Sequence, residues 1–134
     1  MKTLGLDYGG RRIGISLSDD TGRVAMPHSV LITTPDSAKE IGAIVAREGV
    51  LRIVLGESRN FKNEPNPIMD DISRFKEELS GITQVPIHYE LEMLTSAMAR
   101  RVEGEHAKLD ASAAALILQS FLDREYEISG GGSR

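Results

Sequence analysis

The chain contains no cysteine. That one absence removes disulfides, thiolate nucleophiles and cysteine-ligated zinc together. Tryptophan is also missing, and three tyrosines and three phenylalanines leave few platforms on which single-stranded bases would stack. No apolar run approaches 18 residues, so no membrane span is expected. Positive charge is not in excess either. The formal net charge of -4 argues against loose, charge-driven adhesion to nucleic acid, although a cluster of carboxylates that holds cations lowers the formal charge by itself. Met1-Lys2 leads straight into strand-like sequence rather than a signal peptide, which makes a cytoplasmic location the expectation.

What is present is the patterning of one α/β domain, with 134 residues sufficient for a single core. Thr3-Leu4-Gly5-Leu6 reads as a strand, and Ile13 to Ser18 as a second with period-two alternation. Val24 to Ile32 reads as a third, interrupted near Pro27. A helix is expected from Thr34-Pro35, with Ala38, Ile41, Ile44 and Val45 on its inner side and Gly49 as its stop. Leu51 to Leu55 is a short strand. A helix follows from Asn66-Pro67 to Gly81, then a strand from Val85 to Tyr89, a helix from Thr95 to Val102, and a last helix from Asp110 to Tyr126. The order β-β-β-α-β-α-β-α-α predicts one mixed sheet with an antiparallel opening and flanking helices. Residues 1–127 form the expected domain, and the glycine- and serine-rich 128–134 a flexible tail.

Three acids stand at element boundaries. Asp7 ends the first strand, Glu92 follows the fifth, and Asp110 stands at the mouth of the last helix. Taken singly they are a turn residue, a loop acid and a helix cap. Taken together, the carboxyl ends of the first and a later parallel strand can lie side by side, with a helix start pointing at them. Three converging carboxylates suit Mg²⁺ or Mn²⁺, and two such ions roughly 4 Å apart support phosphodiester cleavage. His28, His88 and His106 have no metal-motif spacing, and Gly5, Gly9 and Gly10 match neither a dinucleotide fingerprint nor a Walker A loop.

At this point the sequence resembles the RuvX/YqgF family, proteins described as Holliday-junction-resolvase-like or as pre-16S rRNA nucleases. The resemblance is carried by Gly5-Leu6-Asp7-Tyr8-Gly9 with Arg12-Ile13-Gly14, by Ala25 and Pro27, by Ile53-Val54-Leu55-Gly56 and Asn60, by Glu92 with Leu94-Thr95-Ser96, and by Leu109 to Ala114 running into Ile117-Leu118-Gln119. It implies a ribonuclease-H-like fold and a metal-binding, catalytic role for Asp7, Glu92 and Asp110. The implied activity is Mg²⁺- or Mn²⁺-dependent hydrolysis of phosphodiester bonds, acting on structured RNA such as the pre-16S rRNA, within a ribosomal precursor particle, or on branched DNA. A monomer or a weak homodimer is compatible with it. The chain departs from the family at Leu91 and Met93, where an aspartate and an arginine are usual, and at Glu57-Ser58-Arg59 after the fourth strand. Glu90 is then a candidate replacement for the lost acid, although strand alternation would turn it the other way.

Substrate contact is expected from Arg11 and Arg12 after the first strand, from Arg59, Asn60 and Lys62 in a polar loop, and from Thr95, Ser96 and Arg100 in the helix after the fifth strand. The same cations also fit an ordinary solvated surface. A non-catalytic RNA- or ribosome-binding module that kept the fold is the main rival reading.

Overall fold

A computed structural model describes residues 1–57, 69–91 and 106–128, apart from the side chains of residues 57, 91, 106–110 and 128. Strand β1 (Thr3–Tyr8) pairs antiparallel with β2 (Arg12–Ser18), which pairs antiparallel with β3 (Ala25–Ile32). The turn between β1 and β2 is tight: a Cβ on Gly9 would lie 2.7 Å from the Arg12 carbonyl oxygen. The break anticipated at Pro27 is a register shift. Ile15 pairs with Ser29 but Ser16 with Pro27, so His28 is the extra residue of a bulge on an outer strand, where proline's missing N–H costs least.

Helix α1 (Ser37–Glu48) begins two residues later than Pro35. The residue at its N-cap is Asp36 rather than Thr34, and it makes no side-chain cap bond. The Thr34 hydroxyl instead closes the turn ahead of the helix, accepting the Asp36 N–H at 3.1 Å, while Ser37 Oγ accepts the Thr34 N–H at 2.8 Å. Gly49 ends α1 at φ 69°, a left-handed position that glycine occupies without strain. The chain then enters β4 (Arg52–Glu57), α2 (Met69–Ser80), β5 (Ile87–Leu91) and α3 (His106–Ile128). Residues 95–102, expected to be helical, and the tail from 129 on lie outside the described residues.

The five strands form one sheet in the order β3-β2-β1-β4-β5. β4 runs parallel to β1, and β5 parallel to β4. Alternation sends Leu4, Leu6, Ile53 and Leu55 to one face, where they pack with Ala38, Ile41 and Val45 of α1 and Ile72, Phe75 and Leu79 of α2. Val54 points to the other face and meets Ile117, Leu118, Phe121 and Leu122 of α3. Each such buried side chain contributes about 1.5–3 kcal/mol, so both faces of the sheet are fixed by apolar contact. Among the described residues no helix is long and apolar enough to cross a membrane.

Candidate functional site

Because β1, β4 and β5 are parallel, their carboxyl ends share one edge of the sheet. Asp7 stands one residue before the end of β1 and is only 4% exposed. Leu4 and Leu6 belong to the α1/α2 face, so alternation turns Asp7 to the face that α3 covers. The register continues across the sheet. Leu6 is level with Leu55, which places Asp7 level with Gly56, and Gly56 is level with Glu90. Two strand spacings separate the α-carbons of Asp7 and Glu90, about 10 Å, and Gly56 puts no side chain between them. Burying a carboxylate here is costly unless it is paired, hydrogen-bonded or bound to a cation.

Helix α3 comes unusually close to β1. A Cβ on Gly5 would sit 2.4 Å from Ser16 Oγ, 2.8 Å from Leu118 Cβ and 3.1 Å from the Ala114 carbonyl oxygen. Ser16 Oγ donates to that same carbonyl at 2.8 Å. Buried Ala111, Ala113 and Ala114 complete a small-residue stretch that lets the helix approach. The contact lies two residues before Asp7 on the strand and one turn after Asp110 on the helix. The backbone of Asp110 belongs to α3, but not as its cap: the helix starts at His106, one turn earlier than expected. His106-Ala107-Lys108-Leu109 contains no breaker and continues the helix backward. The free N–H groups of the helix start therefore belong to the turn before Asp110.

Glu90 does not serve as a spare acid. It is 3% exposed and faces α3, where its Oε2 accepts Ser120 Oγ at 2.9 Å and Arg124 Nη1 at 2.9 Å, and its Oε1 accepts Arg124 Nη2. This hydrogen-bonded carboxylate raises the Arg124 pKa above its ordinary value. Sequence reasoning missed the clasp; the one available signal was an acid placed within a strand, where an acid is a poor residue.

Glu92 follows β5 directly and lies outside the described residues, as do Arg59, Asn60, Lys62, Thr95, Ser96 and Arg100. Among the described residues no three His, Cys, Asp or Glu stand close enough together to hold a metal ion. Of the expected basic contacts, Arg11 is exposed in the β1–β2 turn and Arg12, half-buried, opens β2. Both stand at the edge where β1 ends. The turn is held from β3's side: Thr33 Oγ1 donates to the Gly9 carbonyl at 2.8 Å, and the Thr33 N–H to the Arg11 carbonyl at 3.0 Å. His28 and His88 are exposed, as expected.

On the opposite face, Tyr8 packs against Phe75 with ring centroids 4.9 Å apart and lines an open cleft of about 370 Å³ with Thr33, Ser37 and Arg74. Burial, then the nearby Asp71 carboxylate, pushes the Tyr8 phenol above its usual pKa. It stays a neutral hydroxyl beside the site.

A family model described as RuvX, Holliday junction resolvase, matches residues 1–124. The chain belongs to the RuvX family. A Chloroflexus aggregans protein named "Putative pre-16S rRNA nuclease" is 35% identical over 130 residues, covering 90% of this chain and 92% of its own length. A Levilactobacillus brevis protein of the same name is 30% identical over 142 residues, with 96% and 98% covered. Among solved structures, T. thermophilus RuvC in complex with a Holliday junction substrate superposes with a TM-score of 0.62 at 16% identity, over 97% of this chain and 96% of that one. The fowlpox virus resolvase bound to Holliday junction DNA gives 0.58 at 10% identity, with 92% and 98% covered. At such low identity these two show the fold alone. It is ribonuclease-H-like, as the resemblance implied.

Proposed function

We propose that this chain is a nuclease that hydrolyses phosphodiester bonds in structured RNA, with 5′ maturation of the pre-16S rRNA as its cellular task. The observation that carries the reading is the buried Asp7 carboxylate at the carboxyl end of β1, on the edge where β4 and β5 also end, in a member of a resolvase-like family. The names of the curated relatives favour the ribosomal precursor over branched DNA.

In this reading Asp7, Glu92 and Asp110 hold Mg²⁺ or Mn²⁺. The donor set fits: the acids are hard oxygen ligands, Asp7 is shielded from water, and the chain has no thiol to favour a softer ion. Bound divalent ions activate water and stabilise the leaving oxygen in phosphodiester cleavage. The protein's own contribution is to fix the ligands. The sheet orients Asp7, and the contact of Gly5 and Ser16 with Ala114 sets the helix turn that carries Asp110. Arg11 and Arg12, with Arg59, Asn60, Lys62, Thr95, Ser96 and Arg100, steer the phosphate backbone toward that edge. Such contacts track shape and charge rather than base identity.

The test is a cleavage assay with Mg²⁺ or Mn²⁺ on a pre-16S rRNA fragment and a four-way DNA junction, using wild type, Asp7→Asn and Asp110→Asn. Cutting of the RNA by wild type alone is the expected result. Cutting of the junction alone moves the assignment to a DNA resolvase. RNA binding without metal-dependent cutting of either substrate would leave a binding module in place of a nuclease.

A further inference from the structure

Asp7 and Glu90 are the two buried acids among the described residues. The Glu90 charge is met by an arginine fork, with the Ser120 hydroxyl as a third donor. Ser120 and Arg124 are four residues apart, so they lie on one face of α3. A bidentate arginine–carboxylate pair fixes direction as well as distance. As a device for stability alone it is a poor choice, because ion pairs that lose water often contribute no more than apolar packing would; their better-attested use is to specify one arrangement.

The need for such a device is local. β5 is an outer strand with a hydrogen-bonded neighbour on one side only, β4. β1 and β2, in contrast, meet α3 through the close Gly5 contact and the Ser16–Ala114 hydrogen bond. We propose that Glu90 is a positioning residue which, through Arg124 and Ser120, holds the end of β5, the strand that leads directly into Glu92, against the helix that carries Asp110. The proposal rests on the reading of Glu92 and Asp110 as cation ligands. Glu90 is one residue from the end of β5 and two from Glu92. Ser120 lies ten residues along α3 from Asp110, about 15 Å. The clasp thus joins the edge strand to the rigid element that bears the other ligand.

The experiment is Mn²⁺ titration by calorimetry, paired with cleavage at varied Mn²⁺, for wild type, Glu90→Gln, Arg124→Gln, Arg124→Lys, Asp7→Asn and Arg52→Met. Glu90→Gln and Arg124→Gln are expected to weaken Mn²⁺ binding about tenfold or more, the usual cost of losing a residue that orients a ligand. The Mn²⁺ needed for half-maximal cleavage rises equally, while the substrate KM is unchanged. Arg124→Lys, with charge but no fork, recovers part of the loss. Arg52→Met removes bonds to Thr3 and Glu125 while leaving Glu90, Arg124 and Ser120 themselves in place, and is expected to lower Tm without moving Mn²⁺ affinity. If either Gln variant misfolds, the Arg124→Lys variant carries the test, since its side chain is half exposed. Mn²⁺ affinities within twofold of wild type for both Gln variants of the clasp, with Asp7→Asn weakened, would overturn the positioning role alone. No Mn²⁺ binding by wild type would overturn the metal reading and this proposal with it.

Discussion

Gly5→Ala tests whether α3 is seated as tightly on β1 as the geometry demands. The new methyl would meet Ser16 Oγ at 2.4 Å, Leu118 Cβ at 2.8 Å and the Ala114 carbonyl oxygen at 3.1 Å. Two of these are fixed by the backbone or next to it, so turning one side chain does not relieve them. The helix must lift. Overpacking of this kind costs about 1–3 kcal/mol. The Ser16–Ala114 hydrogen bond, buried and 2.8 Å long, is lost in the movement at about 1 kcal/mol more. Alanine recovers about 0.5–1 kcal/mol through its lower chain entropy. The balance is a loss of about 2 kcal/mol, read from urea unfolding followed by circular dichroism with an unchanged m-value. Gly10→Ala is the matched control, because a Cβ there meets nothing within 4 Å; it should be neutral or slightly stabilising. Since Ala114 lies one turn from Asp110, Gly5→Ala should also depress metal-dependent cleavage under conditions where the variant is still folded. A Gly5→Ala protein within about 0.5 kcal/mol of wild type would refute the close-contact reasoning.

Gly49→Ala forces a side chain into φ 69° at the end of α1 and should cost about 1 kcal/mol by the same unfolding measurement. The Asp19 carboxyl is held down to about 2, first by the Arg23 N–H and then by the Thr21 hydroxyl. Its folded pKa is below the unfolded one, so its contribution is present above about pH 4 and lost as pH falls through about 2. The Tm difference between wild type and Asp19→Asn should therefore close over that window in thermal scans. Arg52→Met breaks a partly exposed pair with Glu125 and a 2.9 Å bond to Thr3, and should cost about 1 kcal/mol in urea unfolding. Removing divalent ions with EDTA should stop cleavage, and Mn²⁺ or Mg²⁺ should restore it in a gel assay; cutting that persists in EDTA would contradict the proposed ligands.

Much of the fold was legible because local and tertiary demands agree. The inner side of α1 was readable from Ala38, Ile41, Ile44 and Val45, all buried in the fold. Helix α2 presents Ile72, Phe75 and Leu79 as its spacing predicts. The bulge opposite Ile15 and Ser16 was announced by Pro27, a residue that cannot donate to a ladder. Asp7 stood out because an acid is a poor strand residue, and a local rule broken in an otherwise consistent strand marks either strain or function. What stayed hidden depends on contacts between distant residues. Ser16 meets Ala114 across 98 positions, and Glu90 meets Arg124 across 34. No periodicity encodes either pairing. Gly5 read as one member of a motif, and its reason is the passage of a helix that begins a hundred residues later. The start of α3 was placed too late because Asp110 looks like a cap, while the four residues before it are equally willing to be helical.

The two buried acids of one sheet rung also separate by their chemistry. A carboxylate that already accepts an arginine fork and a hydroxyl has little lone-pair capacity left. A divalent cation brought to Glu90 would in addition face the Arg124 guanidinium at close range, a repulsion that grows as water is excluded. Glu90 is therefore committed to holding the fold, and it cannot replace the aspartate that Leu91 displaces. The next acid the chain supplies after β5 is Glu92. In the proposed nuclease the β5 side of the centre must then rest on Glu92 alone, which makes the rigidity of that strand end a condition for cation binding rather than an accident of packing.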